Sequence, residues 1–151
     1  MIKKILIGLA GSIVLLLAIL YFTSKPKLES DGSFSPSSLA LKLGTVDVTD
    51  FENISYSKYE GKKSKILVIF TEQKNLKMKN DKFFSTGNHP IEALLPMLHL
   101  KNAGFDFEIV TPTGKPVVFE MWAFPQKDKN VQAIYKEYKS FFEKPKSLIK
   151  F

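Results

Sequence analysis

Cysteine and arginine are both missing from this sequence. Without a thiol the chain forms no disulfide, offers no thiolate to a metal and contains no cysteine nucleophile. Without arginine it lacks the side chain best suited to bidentate phosphate and guanine contacts. A formal charge of +7 and a pI of ≈ 9.5 therefore rest on lysine alone. Eight lysines fall between Lys58 and Lys82 against three acids, a pattern read as a solvated loop, and no nucleic acid is expected as a specific ligand. Histidine is scarce as well. His89 and His99 lie ten apart, off the i, i+4 spacing of helical zinc motifs, and neither a phosphate-binding glycine loop nor a Ser/His/Asp arrangement is visible. No cofactor and no metal are expected.

What the chain does have is organised around FFSTGNHPIEALLPMLHLKNAG, Phe83 to Gly104. Before it stands KILVIF (Lys65 to Phe70), a continuous apolar run of the kind found in parallel strands buried on both faces. After it stands FDFEIV (Phe105 to Val110). Between them Ile91, Leu94, Leu95 and Leu98 recur at helical spacing and Gly104 supplies a stop. Strand, loop, helix and strand make a βαβ unit, whose open mouth lies where the first strand ends and the helix begins. Glu92 stands at that mouth. With Pro90 at the first helical position, His89 becomes the N-cap and Glu92 the N3 residue, where a carboxylate favours the helix dipole and can reach back to the cap amide. Pro96 inside the helix lacks an N–H and frees the carbonyl of Glu92. Capping and an active-site role are both open for Glu92 on these grounds. Further on, TPTGKP is a turn and VVFEMW an extended arm. Trp122 and Phe124 beside Pro125 fit packing better than a cleft wall, and Asn130 to Glu143 has the period of a helix lying on the sheet.

The run STGNHPIEALLPMLHLKNAGFDFEIVTPTG, followed by FEMWAFPQKD and FFEKPKSL, resembles the amino-terminal half of the ThiJ/PfpI superfamily, in its heat-shock chaperone branch of glyoxalase III and protein and nucleic acid deglycase enzymes. The likeness runs from about Asp31 to Leu148. It implies an incomplete flavodoxin-like (class I glutamine amidotransferase-like) doubly wound parallel sheet. It also implies that Glu92 matches the family's catalytic glutamate, which hydrogen-bonds the nucleophilic cysteine and helps move protons on a 2-oxoaldehyde. In that family the cysteine sits in the half that follows, so the chain is expected to be inactive alone. A small 2-oxoaldehyde or glycated substrate is expected only if the site is completed, by a downstream-encoded second half; homo-oligomerisation is another expectation. The alternative is a non-catalytic holdase-like or partner-binding protein. The branch also has a metal site of two histidines and one carboxylate. Its positions fall, without gaps from Glu92, on Lys101, Asp106 and Tyr138, so only the carboxylate is kept and no metal is predicted.

Three segments are expected. Residues 1–24 read as a membrane anchor or signal segment: Lys3 and Lys4 precede an uncharged, mostly apolar run from Ile5 to Phe22, long enough as a helix to approach a bilayer core. An uncleaved single-pass transmembrane helix with the soluble part outside the cytoplasm is the first expectation, a secreted protein after signal cleavage the second. Residues 25–61 read as a tether and amino-terminal arm, and 62–151 as the amino-terminal part of the α/β domain. With two parallel strands, one arm and two helices, the sheet is expected to leave an unpaired apolar edge and the domain to be marginally stable.

Overall fold

The computed structural model describes residues 2–52, 54–61 and 65–150, with the side chains of residues 2–7 and 10 outside that set. The expected boundary at residue 62 and the orientation signal of Lys3 and Lys4 therefore lie outside the described residues or side chains. Helix α1 spans Ile2–Ser24. Two short strands follow, β1 (Lys27–Leu28) and β2 (Phe34–Ser35), joined by a turn in which Gly32 adopts φ +80°. Helix α2 (Ser38–Gly44) is capped by the Ser37 hydroxyl, which accepts from the Ala40 N–H. The remaining elements are β3 (Lys65–Ile69), β4 (Asn75–Lys77), β5 (Phe83–Ser85), α3 (Pro90–Asn102), β6 (Asp106–Thr111), α4 (Lys129–Glu143) and β7 (Lys146–Ser147). Single 3-10 turns occupy Met121–Ala123 and Leu148–Lys150.

Two sheets result. The larger in ordered length is β3-β6-β7, parallel throughout, with Lys65 opposite Asp106 and Ile69 opposite Val110. The βαβ unit is thus present as β3-α3-β6, and Gly104 follows α3 at φ +93°, a conformation that favours glycine. A third parallel strand joins the two that were expected: β7 pairs with β6 through Val110 and Thr111. The second sheet, β1-β2-β5-β4, was not foreseen. It forms because the lysine-rich segment folds back on itself, β4 antiparallel to β5, and the hairpin of β1 and β2 adds in parallel to β5 through Phe34 and Phe84.

The core lies on one face of the parallel sheet. Val131, Ile134, Tyr138 and Phe142 recur along one stripe of α4 and are buried against Phe107 and Ile109 of β6, Phe70 beyond β3, and Leu94 and Met97 of α3. Aromatic rings fill much of this space: Phe142 meets Phe70 at 5.5 Å and Phe119 at 5.0 Å, both edge-on. Burial of KILVIF on both faces does not hold. Ile66, Val68 and Phe70 face the core, whereas Leu67 and Ile69 are 42% and 58% exposed because both α3 and α4 lie on the other side.

One expectation at the amino terminus is overturned. Among the described residues no helix is long and apolar enough to cross a membrane. The transmembrane helix placed before the α/β fold, and the single-pass localisation drawn from it, are corrected accordingly. The architecture is mixed α/β with parallel strands, consistent with a flavodoxin-like sheet.

Candidate active site

The loop between β5 and α3 carries the site, and one amide side chain fixes it. Asn88 Oδ1 accepts from the Thr71 N–H at 3.1 Å, while Asn88 Nδ2 donates to Thr71 O at 3.0 Å and to Val118 O at 2.7 Å. The Asn88 backbone repeats the connection: its N–H donates to Val118 O at 2.8 Å and its carbonyl accepts from the Glu120 N–H at 3.0 Å. Residue 88 thereby ties the end of β3 to the arm over residues 117–120, and an isolated parallel bridge joins Asn88 and Phe119. Gly87 is needed for the same approach, because a Cβ there would stand 2.7 Å from Val118 O. With four polar functions of one residue engaged, the loop enters α3 at a fixed angle.

The helix begins as the sequence predicts. His89 is the N-cap at φ −66° and ψ 123°, and Pro90 occupies the start of α3. The reciprocal cap does not form: the His89 side chain makes no cap hydrogen bond, and its Nδ1 is buried without a partner among the described residues. Glu92 is exposed, and its carboxylate takes part in no hydrogen bond or ion pair among the described residues. The capping geometry that competes with a chemical role is therefore only half realised, since the helix dipole still favours the carboxylate but nothing holds it. Glu92 borders an open cleft of ≈ 460 Å³ whose walls are Val68, Ile69 and Phe70 on the strand side and Ala93, Pro96 and Leu100 on the helix side. An unpaired carboxylate over a mostly apolar cleft is equipped to accept and return a proton.

The other singled-out positions fall elsewhere. His99 is a packing residue: its Nδ1 shares a 2.8 Å hydrogen bond with the Tyr56 hydroxyl and its ring lies 4.9 Å from Phe51. Phe124 is buried against Tyr135, and Trp122 borders a separate cavity of ≈ 430 Å³ between the amino-terminal hairpin and residues 119–122. Lys101, Asp106 and Tyr138 do meet. Lys101 Nζ lies 2.7 Å from Asp106 Oδ1, 2.9 Å from Glu137 Oε1 and 3.1 Å from the Tyr138 hydroxyl, which itself donates to Asp106 Oδ1 at 3.2 Å. Burial works against the charge of Lys101, yet the bonds to Asp106, Glu137 and Tyr138 outweigh it and raise its pKa. The Lys101 ammonium in turn holds the Asp106 carboxyl below its usual value. A positive charge already occupies the centre of this cluster, so its donors suit an ammonium and not a divalent ion. Among the described residues no group of three or more His, Cys, Asp or Glu side chains could hold a metal. Asn88, Gly87 and Thr71 were not legible as site residues.

Over the residues that match, the chain is similar to protein/nucleic acid deglycases, members of the ThiJ/PfpI superfamily. It is 46% identical over 121 residues to the protein/nucleic acid deglycase HchA of Escherichia coli O157:H7, a match covering 80% of this chain and 43% of the relative. It is 45% identical over the same length to the deglycase HchA of Escherichia coli strain K12 / DH10B, with the same coverage. The chain thus spans less than half the length of the curated relatives it matches. No family model matches it.

Proposed function

We propose that this chain contributes the acid–base part of a deglycase-type site, with Glu92 as the proton-transferring carboxylate and the nucleophile supplied by polypeptide outside these 151 residues. The observation that carries the reading is the unpaired Glu92 carboxylate at the mouth of an apolar cleft, on a helix whose entry is fixed by Asn88. The names of the relatives add a substrate class, glycated protein or nucleic acid; small 2-oxoaldehydes such as methylglyoxal are what the family resemblance implies. Because the chain has no cysteine, it performs no thiol-dependent turnover by itself.

A covalent fusion of this chain to the unmatched remainder of the Escherichia coli O157:H7 relative tests the proposal. The fusion is expected to consume methylglyoxal, and Glu92→Gln is expected to slow it by about 100-fold or more with an unchanged circular dichroism spectrum. A folded fusion in which Glu92→Gln keeps full activity would remove Glu92 from the chemistry. Turnover by the isolated chain would contradict the need for an outside nucleophile. A second reading, a non-catalytic partner-binding or holdase-like protein, is favoured by the exposure of Leu67 and Ile69, and a folded fusion with no turnover at all would select it.

A further inference from the structure

His89 breaks the rule of the position it holds. An N-cap side chain ordinarily accepts a hydrogen bond from the first turn of its helix, which is why Ser, Thr, Asp and Asn dominate there. The His89 side chain makes no such bond, and its Nδ1 is buried without a partner among the described residues. An orphaned buried nitrogen costs stability, and departures of this kind are expected where a residue serves function. The surroundings show what the ring can do. His89 borders the ≈ 460 Å³ cleft together with Glu92, and the N-cap and N3 side chains of a helix lie on the same side of its first turn. Of the residues lining that cleft only Asn88, His89 and Glu92 have polar side chains, and the Asn88 amide is spent on Thr71 and Val118. A carboxylate and an imidazole are thus left to meet a polar ligand. The Nε2 of His89 takes part in no hydrogen bond among the described residues and, unlike Nδ1, is not shut away from solvent. A buried N–H without an acceptor costs more than a buried lone pair without a donor, so the ring proton belongs on Nε2. The accessible nitrogen is therefore an N–H donor.

We propose that His89 is the second substrate-binding group of this cleft, its Nε2–H donating to a carbonyl oxygen of the substrate while Glu92 transfers the proton. The proposal rests on the reading of the cleft as a deglycase-type site, and it names what selects the substrate there. The hydrogen bond strengthens as negative charge develops on the carbonyl oxygen, and the apolar walls keep that interaction strong. A ligand with two polar groups on adjacent carbons, as in a small 2-oxoaldehyde, meets both side chains at once.

Two amide variants separate the ring nitrogens, because Asn places its nitrogen near the Nδ1 position and Gln near the Nε2 position. In the covalent fusion described above, His89→Asn is expected to lower kcat/KM for methylglyoxal at least about 10-fold, while His89→Gln keeps more of it. Stability should not follow activity: Asn caps a helix well, so the urea midpoint of His89→Asn should equal or exceed that of the parent. A merely structural N-cap role predicts the reverse ranking, and an Asn variant as active as the parent, or more active than the Gln variant, overturns the proposal. With only two histidines in the chain, isotope-labelled imidazole spectra of the unfused protein read the tautomer directly, and a proton on Nδ1 of His89 overturns the proposal as well. Full turnover in Glu92→Gln together with a slowed His89→Asn removes the acid–base reading and keeps the His89 contact; the converse pattern removes His89 alone. If a folded fusion turns over nothing, hydroxyacetone added to the unfused chain decides: a shift of the His89 ring resonances that His99 does not share supports the contact, and no shift overturns it.

Discussion

Glu92 and Leu94 are two residues apart on α3 and meet opposite surroundings, the first exposed over the cleft and the second 0% exposed in the core. Leu94→Ala should therefore cost about 2–5 kcal/mol in chemical unfolding, whereas Glu92→Gln should leave the midpoint within about 0.5 kcal/mol. A matching loss for both would contradict the exposed placement of Glu92. Gly87→Ala offers a second residue-level check. The added methyl meets the backbone carbonyl of Val118, which cannot swing aside as a side chain can, so a loss of about 1–3 kcal/mol is expected together with faster amide exchange at Asn88 and Glu120. The position of Glu92 at N3 was legible because His-Pro before a periodic run marks a helix start by local chemistry alone. Asn88 was not legible, since its amide partners stand 17 and 30 residues away at Thr71 and Val118.

Helices α3 and α4 were readable as elements because each has a period of 3.6 over three or more turns, and β3 and β6 because each is a dense apolar run. Strands of two or three residues, such as β1, β2 and β7, carry no such pattern; they exist only through their partners. The start of α4 yields a pH prediction. Asp128 caps it, accepting from the N–H groups of Asn130 and Val131, and also receives the N–H and hydroxyl of Thr49 from the amino-terminal arm. Burial pushes its carboxyl up, but the hydrogen bonds from Thr49, Val131 and Asn130 prevail and hold it below the usual carboxylate value. A carboxyl lower in the folded than in the unfolded state adds stability above its unfolded value of about 3.9, and that stability disappears as pH falls through the native one. The wild type should accordingly lose stability steeply below about pH 4, and Asp128→Asn should flatten that limb. At neutral pH Asp128→Ala should cost about 1–2 kcal/mol as a lost cap, read by urea unfolding. Lys101→Met removes the ammonium that joins α3, β6 and α4. Because Asp106 and Glu137 are more than half exposed, the loss should be no more than about 1 kcal/mol and should shrink in high salt.

The molecule as a whole holds a real core on one side of its parallel sheet and an open strand on the other. That asymmetry predicts modest stability: urea should unfold the isolated chain at a low midpoint with a shallow transition, and a sharp transition from a monomer would count against it. The open edge was foreseeable from the small number of strands. Which strand would hold it was not, because β7 and the placement of α3 and α4 on one face decide that β3 is outermost. A feature of the arm has an optical consequence. Trp122 is the single tryptophan of the chain, and it borders the cavity shared by Lys27, Glu29, Asp31 and Lys74, with its indole nitrogen buried and unpartnered among the described residues. Its emission therefore reports one place only, the seam between the amino-terminal hairpin and residues 119–122. A red shift that precedes the loss of helical ellipticity during unfolding would time the release of that hairpin without any label.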